Sequence, residues 1–521
     1  MELQGKKEGL KLASKRSIFY FFFLFLLSCY LMFFRLGSSS LKGGEANHAV
    51  VSKHVADTGI LYPLYMNSID PRAKARYYCM KPPLKIWAEA LAFHYLSYNE
   101  FAARVVDALL GVLTILLVYT MVLLIFESST MAFLASMLTL AFPPIIISHC
   151  FRHGNQDSAL VFFYTAAILF YMYYKKKESS LAFLLSVGSV MLGLLVKDVF
   201  LLFFVFSVVV GEVLIFKKSP RSLFSIKNIF FIAVPLVFYL SFKIYSGVAT
   251  HGVCLSRFLK PPFILSLGEH KPRYIKGFFY YFNILFKFYG VFILLTLIAI
   301  LKKYVFRSPL DDSGSVEHSD LNWKIALFVL FICLLYVFAI SIPIYKVKRY
   351  IYPIIPGLAV SMSFFIWTLF KTDKNFRWKL PIILLLVVLV FLPLRYESSK
   401  IRKVKVNPYH VLMEHYNHLK GDKAFLVDLS RSEVFGTYDS FYFSRLSDPI
   451  KWYQEPKLLS FLRGFHGRAF VVVSEPGPFL ELLKESRDAL VKIWPLKHRK
   501  KQIPKNFVIE LDIPQIEREK E

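Results

Sequence analysis

The chain has 521 residues, of which 56% are hydrophobic, 17% aromatic and 19% charged, and its formal net charge is +28. Soluble domains carry about 25% charged residues, whereas repeated apolar runs of about 20 residues are long enough to cross a bilayer. The basic residues form short clusters between these runs, which is typical of membrane topology and disfavours nucleic acid as a partner. The five cysteines show neither zinc-ligand spacing nor a disulfide framework. Composition therefore predicts a polytopic membrane protein.

The N-terminus begins with basic residues up to Lys15 and Arg16, followed by an apolar run over residues 18–34. This pattern resembles a signal peptide, but the run is longer than a signal-peptide core and no small-residue cleavage site follows it. We therefore expect an uncleaved first membrane helix with its basic end in the cytoplasm.

Further apolar segments of membrane-spanning length follow along the chain. They lie at about residues 103–126, 130–148, 157–174, 181–196, 199–216, 228–246, 278–301, 322–343, 350–370 and 378–394. Together they predict an α-helical membrane protein with about eleven transmembrane helices (range roughly 10–13), because neighbouring runs merge. With a cytoplasmic N-terminus, basic clusters fall mainly on the inner connections, as the positive-inside rule requires. The first outer loop, 37–99, is then extracytoplasmic and includes amphipathic helices.

The chain after residue 398 changes character. Short apolar runs at 424–428 and 469–473 predict buried strands, and residues 478–492 predict an amphipathic helix. We therefore expect a membrane domain, 1–398, and a small extracytoplasmic α/β domain, 399–521, whose charged end is frayed.

Polar residues recur at the outer ends of the apolar segments. They are Glu45, Lys81, Arg152, Asp157, Lys197, His270, Lys346, Lys348 and Arg349. Charges at membrane edges are costly, and the outer face should be poor in lysine and arginine, so an anionic ligand on that face would explain them. A solvated turn would equally explain residues 346–349, and His270 is one of 13 histidines and need have no role.

Several of these residues have a structural interpretation as well. Glu45 begins a helical stretch, where an acid suits the helix dipole, and Asp157 can cap the helix that it opens. Lys81 precedes two prolines, a sequence that also starts a helix. Asp198 can form a local ion pair with Lys197. Each residue alone therefore leaves both interpretations open.

The same segments also form an ordered series of motifs. They read Arg35-Leu36-Gly37, Gly44-Glu45-Ala46, Lys81-Pro82-Pro83-Leu84, Glu100-Phe101-Ala102-Ala103-Arg104, Asp157, Val196-Lys197-Asp198, His270 and Lys348-Arg349-Tyr350-Ile351-Tyr352-Pro353-Ile354-Ile355-Pro356. In this order, over about residues 30–395, the chain resembles the polyprenyl-phosphate-dependent membrane glycosyltransferases of the C-type fold. That family includes the lipid A aminoarabinose transferases and the protein O-mannosyltransferases.

The resemblance implies transfer of a sugar from a polyprenyl-phosphate donor to a lipid, glycan or protein acceptor. The reaction would take place on the extracytoplasmic face of a bacterial inner membrane. A carboxylate must accept the proton of the acceptor hydroxyl, and cations must stabilise the leaving phosphate. We assign the carboxylate to Asp157, or next to Glu45. The donor phosphate is assigned to Lys81, Lys197 and Arg349, with Lys346 as a weaker candidate, and Tyr350 and His270 are further site residues.

This chain departs from the family pattern at two acidic positions. Gly44 stands where the family has the aspartate that is its first candidate for the catalytic base. Met80 stands where many members have a glutamate, so we predict no metal and no required cofactor, although His270 with a carboxylate is a metal-binding combination. The alternative is a degenerate relative that binds the donor without transfer. A transporter would show internal repeats and polar residues near the bilayer midplane, and the sequence shows neither convincingly.

Overall fold

The computed structural model describes most of the membrane domain and parts of the C-terminal domain. The described ranges are 15–41, 44–67, 76–197, 200–217, 224–259, 275–304, 316–372, 408–419, 422–428, 441–446, 450–474, 476–484, 490–496 and 506–513, with isolated residues between some of them. The predicted span at 378–394 and the charged end at 517–521 lie outside these ranges.

Seven helices in the described ranges are long and apolar enough to cross a membrane. In the helix numbering used below, they are α1 (Lys15–Phe33), α4 (Ala102–Phe126), α7 (Asp157–Lys177), α10 (Ile226–Ala249), α12 (Tyr280–Tyr304), α13 (Val316–Ser341) and α14 (Ile355–Thr372), the last preceded by a 3-10 helix, Lys348–Ile354. The prediction of a multi-helix membrane protein is confirmed. The exact number of spans stays a prediction.

Three shorter apolar helices occupy further predicted segments, namely α5 (Ser129–Leu140), α8 (Ser180–Leu194) and α9 (Phe200–Leu214). The predicted segment 130–148 is not one continuous helix, since α5 ends at Leu140 and a short helix α6, Pro143–Ile147, follows. The cause is the Pro143-Pro144 pair, because proline lacks an amide donor and clashes with the preceding helical turn. Two short helices therefore replace the predicted single span.

The membrane helices pack closely through small residues. A Cβ on Gly357 of α14 would lie 2.9 Å from Cys333 Sγ of α13, and one on Gly211 of α9 would lie 2.5 Å from the Phe328 ring of α13. Within lipid, helix association depends on van der Waals contact rather than on the hydrophobic effect, so such close approach stabilises the bundle. A larger residue at either glycine would separate the helices.

The first outer loop folds into two helices, α2 (Gly44–Thr58) and α3 (Leu84–Leu96), joined by a small hairpin of strands β1 (Tyr65–Met66) and β2 (Arg76–Tyr77). The two helices share a small apolar core that includes Val51 and Ile86. The predicted helices in this loop are therefore present, and they lie against the membrane bundle at one end, which we call the loop end.

The C-terminal domain contains a five-stranded sheet with the strand order β4-β3-β5-β7-β6. The strands are β3 (Lys423–Asp428), β4 (Lys451–Tyr453), β5 (Gly467–Val473), β6 (Leu490–Leu496) and β7 (Asn506–Ile513). Strand β3 pairs in parallel with β4 and β5, whereas β7 is antiparallel to β5 and β6. The helices are α15 (Pro408–His418), α16 (Glu455–Gly464) and α17 (Pro476–Lys484). A short helix α11, Val253–Leu259, follows α10 in the membrane domain.

Two predicted strands and the α/β class are therefore confirmed. The predicted helix over 478–492 is too long, because α17 ends at Lys484 and the segment from Leu490 forms strand β6 instead. This segment contains β-branched and aromatic residues, which favour a strand, and it pairs with β7.

The C-terminal domain packs directly on the first outer loop. The Tyr442 hydroxyl accepts a 3.0 Å hydrogen bond from the backbone amide of Leu41, and Arg445 pairs with Glu100 at 2.8 Å. The Phe441 and Tyr98 rings lie 4.6 Å apart. The domain and the loop therefore lie at the same end of the bundle.

One disulfide was not predicted from the cysteine spacing. Cys79 in the first outer loop is bonded to Cys254 in α11, across 175 residues of sequence. The two cysteines show no characteristic spacing, because a single bridge between distant segments depends on tertiary contact alone. The bond ties the segment just before Lys81 to the loop that follows α10.

Candidate active site

A carboxylate and two cations meet at the loop end of the bundle. Asp157 opens α7, Lys197 follows α8, and Arg349 lies in the 3-10 helix before α14. Lys197 Nζ donates to Asp157 Oδ1 at 2.6 Å, and Arg349 Nε lies 3.8 Å from Asp157 Oδ2. Three predicted site residues from distant parts of the sequence are therefore adjacent.

The Lys81 segment joins this group through backbone contacts. The carbonyl of Pro82 accepts from the Gln156 side chain at 3.3 Å, and the Leu84 amide donates to the Leu195 carbonyl at 3.0 Å. These bonds hold Lys81 beside the segments that carry Asp157 and Lys197, and Lys81 is close enough to act electrostatically on Asp157. Three positive side chains thus surround one carboxylate.

Tyr350 lines the same place. Its ring lies under Lys197, whose Nζ is 5.1 Å from the ring centroid. Lys197 is only 7% exposed, and this burial lowers its pKa against the raising effect of Asp157. A desolvated ammonium attracts an incoming anion more strongly than an exposed one does, because the local dielectric is lower.

Glu45 is held in a different environment, next to but apart from this group. Arg104 contacts both of its carboxylate oxygens, at 3.0 and 3.3 Å, and the Gly154 amide donates to it at 2.9 Å. Burial raises the pKa of Glu45, but Arg104 and His153 outweigh burial and hold that pKa well below its usual range. A carboxylate that is 1% exposed and so strongly bonded is a weak proton acceptor.

Arg104 organises the loop that precedes α2, a role not predicted from the sequence although its motif was noted. Besides Glu45, its guanidinium donates to three backbone carbonyls at 2.7–3.0 Å, those of Leu36, Ser39 and Ser40. Arginine suits this task because its five donors are arranged in a rigid fork. The arginine of the Glu-Phe-Ala-Ala-Arg motif therefore fixes the loop.

Arg152 has a similar structural use. It donates to carbonyls at the end of α1, those of Leu31, Met32 and Phe34, at 2.7–2.8 Å. Cations stabilise helix C-termini by satisfying carbonyls that lack intrahelical partners. This contact explains one of the outer basic residues without any ligand.

Gly44 stands close to the candidate site. A Cβ at this position would lie 3.0 Å from Asn155 Oδ1, two residues before Asp157. An acidic side chain here would therefore approach the same segment that carries Asp157. Because residue 44 is a glycine, the Asn155 side-chain amide lies next to its backbone.

The remaining predicted residues either lie apart from this group or are not among the described residues. Lys346 is 3% exposed and donates to the backbone carbonyls of Lys276 and Pro343, so its ammonium is engaged in holding a turn. His270 and Asp198 lie outside the described residues. Among the described residues, no group of three histidine, cysteine or acidic side chains is arranged to hold a metal ion.

A second charged group was not predicted from the sequence. Lys85 of α3 pairs with Glu89 of the same helix and lies 3.1 Å from Asp107 Oδ2 of α4, and all three side chains are fully buried. Ser158, the second residue of α7, donates from its hydroxyl to Asp107. Asp107 lies within a long apolar run, and this charge inside a membrane segment was the signal available in the sequence.

Comparison with solved structures identifies the fold. The apo crystal structure of ArnT from Cupriavidus metallidurans has a TM-score of 0.58 and 14% identity, covering 95% of this chain and 98% of that one. The same enzyme bound to undecaprenyl phosphate gives 0.58 and 15%, covering 95% and 99%. The apo oligosaccharyltransferase of Archaeoglobus fulgidus gives 0.52 and 11%, covering 95% and 76%. The chain therefore has the C-type fold of membrane glycosyltransferases.

The sequence comparison agrees with this class. Residues 80–245, fewer than half of the chain, match the family model described as dolichyl-phosphate-mannose-protein mannosyltransferase. A comparison with curated protein sequences found no match. The resemblance stated from the motifs is thus confirmed at the level of the fold.

Proposed function

We propose that this protein is a membrane glycosyltransferase that moves a sugar from a polyprenyl-phosphate donor to an acceptor hydroxyl. The observation that carries the proposal is the meeting of Asp157 with Lys197, Arg349 and the Lys81 segment. One carboxylate among several cations suits a reaction that removes a proton from a neutral acceptor and releases an anionic phosphate.

In the proposed reaction the acceptor hydroxyl oxygen attacks the anomeric carbon of the donor sugar. The bond between that carbon and the phosphate oxygen breaks, and the phosphate keeps the electron pair. Asp157 accepts the hydroxyl proton, while Lys81, Lys197 and Arg349 stabilise the phosphate. Because Asp157 is held by Lys197 and Arg349 in this structure, an arriving phosphate would draw these cations away and make the carboxylate a better base.

The donor and acceptor classes are supported by the ligands of two similar structures. ArnT is bound to undecaprenyl phosphate in one of them, and in the other the archaeal oligosaccharyltransferase is tethered to an acceptor peptide, with a TM-score of 0.50, 11% identity and coverage of 84% of this chain and 63% of that one. A polyprenyl chain would lie in the membrane with its phosphate at headgroup level, near these cations. We propose a lipid, glycan or protein acceptor and a bacterial inner membrane.

The proposed location of the site is the extracytoplasmic face. The loop end carries the Cys79–Cys254 disulfide, and disulfides persist in oxidising compartments outside the cytoplasm. The basic clusters of the sequence support the opposite end as cytoplasmic, for example Lys175, Lys176 and Lys177 in the last turn of α7.

The test is donor turnover by the purified protein in lipid nanodiscs. Undecaprenyl phosphate carrying a radiolabelled hexose or pentose is supplied with a bacterial lipid and glycan extract, and label leaving the donor is followed. We expect label transfer and release of undecaprenyl phosphate. Binding of undecaprenyl phosphate without turnover of any donor would instead support the degenerate relative.

The degenerate relative is favoured by one observation, the glycine at position 44. Gly44→Asp tests it, since an aspartate there approaches Asn155 and restores the acid that the family has at this position. If Asp157 suffices, the substitution changes turnover less than about threefold, which is under 1 kcal/mol. A gain of tenfold or more would show that the native site lacks a needed acid.

A further inference from the structure

Three ionisable side chains and a serine form a buried group next to the candidate active site. We call them the Lys85 network, and its members are Lys85, Glu89, Asp107 and Ser158. The charged members are fully buried, and they join α3, α4 and α7. Burying charged groups is costly, and apolar residues of similar volume often stabilise a protein as well or better, so stability alone is a weak explanation for this group.

The Lys85 network is next in sequence to both Lys81 and Asp157 of the candidate site. Lys85 is the second residue of α3 and lies four residues after Lys81, which precedes that helix. Ser158 directly follows Asp157, and its hydroxyl donates to Asp107. A rigid connection therefore runs from the proposed phosphate-binding lysine to the proposed base.

Helix α2 also contacts the segments that the Lys85 network joins. His48 Nδ1 lies 3.0 Å from the Gly154 carbonyl, and Lys85 acts electrostatically on His48. Ser52, one turn further along α2, lies beside Glu89. Helices α2, α3, α4 and α7 thus meet around the network.

We propose that the Lys85 network is a positioning device that fixes Lys81 relative to Asp157. This inference rests on the proposed function, since it concerns the same site. The network touches neither the donor nor the acceptor. It acts by holding the start of α3, and with it Lys81, at a fixed distance from Asp157 at the start of α7. Lys81 can then bind phosphate while Asp157 accepts a proton. Misplacement of about 1 Å can cost about 100-fold in rate.

The first experiment cuts the network at its link to α7. In Ser158→Ala the three charges stay in place, but the N-terminal turn of α7 loses its bond to Asp107. We expect kcat to fall about tenfold while the affinity for undecaprenyl phosphate changes less than threefold. Ser186→Ala is the matched control, because Ser186 is equally buried and donates to the Ala167 carbonyl at 2.8 Å, away from the site.

The second experiment removes all three charges while keeping their shapes. Lys85→Met alone would leave two carboxylates buried without a cation and would destabilise the protein, so the triple variant Lys85→Met, Glu89→Gln, Asp107→Asn is used. We expect it to fold, with a thermal midpoint close to that of the native protein. Its undecaprenyl phosphate affinity and its kcat should each fall about tenfold, because Lys81 and Asp157 are no longer held together.

The outcomes separate this inference from the proposed function. A native protein that transfers sugar, with a folded triple variant and Ser158→Ala both at native kcat and affinity, overturns the positioning role alone. A native protein that neither binds undecaprenyl phosphate nor transfers sugar overturns the proposed function and this inference with it. A Ser186→Ala loss equal to that of Ser158→Ala would assign the effect to general packing and also overturn the positioning role.

Discussion

Lys197 and Asp157 are separated by 40 residues in the sequence, and Nζ of the first lies 2.6 Å from Oδ1 of the second. The pair joins the turn after α8 to the first residue of α7. The sequence suggested that Lys197 pairs with its neighbour Asp198, which lies outside the described residues. The ammonium of Lys197 connects two helix ends at the place where a donor phosphate is proposed to bind.

Asp157→Asn should reduce label transfer by about 10²–10⁴-fold, because the amide cannot accept the acceptor proton. Undecaprenyl phosphate binding should be kept or increased, since Lys197 and Arg349 lose a competing anion. Initial rates and lipid binding are measured on the same preparation. Asp320→Asn is the control, because Asp320 pairs with Lys324 on a half-exposed surface at 2.8 Å. Native rates in Asp157→Asn would exclude it as the base.

Lys81→Ala and Arg349→Ala should each weaken undecaprenyl phosphate binding by about 10-fold, because a charge-assisted hydrogen bond contributes about 1.5–3 kcal/mol. The binding constant is measured by titration in nanodiscs at low salt. Lys53→Ala provides a control in the same outer loop, where Lys53 pairs with Asp57 on α2. If all three variants bind the lipid equally well, the phosphate lies elsewhere.

Glu45→Gln should lower stability rather than act on the chemical step. It leaves the buried Arg104 without its anionic partner, a change that costs about 3–5 kcal/mol. Thermal unfolding in detergent measures this loss. Glu127→Gln is the control, because Glu127 is exposed and its pair with Lys177 is 3.5 Å long. A Glu45→Gln protein with native melting and a 100-fold slower rate would instead make Glu45 catalytic.

The disulfide prediction concerns Cys79 and Cys254. Alkylation of the unfolded, unreduced protein should label three cysteines, Cys29, Cys150 and Cys333, and reduction should add two more. Cys79→Ser with Cys254→Ser should lower stability by about 2–4 kcal/mol, because the bridge constrains the unfolded chain. Labelling of all five cysteines before reduction would place the loop end in a reducing compartment and contradict the proposed topology.

The pH dependence of stability should reveal Glu89. Burial raises the pKa of Glu89 to about 7 from 4.5, since Lys85 does not fully offset the burial. Between pH 4.5 and about pH 7, the unfolded chain has released the Glu89 proton while the native state keeps it. Stability from this group therefore falls as pH rises through the window, by up to about 1.4 kcal/mol per pH unit.

His48 acts in the opposite direction and must be separated from Glu89. Burial lowers the pKa of His48 to about 3, so stability from His48 falls as pH drops below its unfolded value of 6.5. The comparison is therefore between the native protein and Glu89→Gln at each pH, because this substitution removes the titration of Glu89 and keeps His48. Equal pH slopes for the two proteins would contradict a proton-retaining Glu89.

The apolar runs by themselves determined that this is a helical membrane protein, because continuous apolar runs of about 20 residues match a transmembrane helix, which satisfies its own backbone hydrogen bonds within lipid. The ordered motifs indicated the C-type fold and brought forward Asp157, Lys81, Lys197 and Arg349. Local patterns suffice for these conclusions since they act within one helix or one turn.

Tertiary structure alone decided which charges meet. It paired Asp157 with Lys197 and Glu45 with Arg104. It placed the Lys346 ammonium against backbone carbonyls. It also formed the Cys79–Cys254 bond and buried Lys85 against Asp107. These pairings depend on how helices distant in sequence pack at the loop end. The Lys81 segment becomes part of the candidate site only because it contacts the residues just before α7 and just after α8.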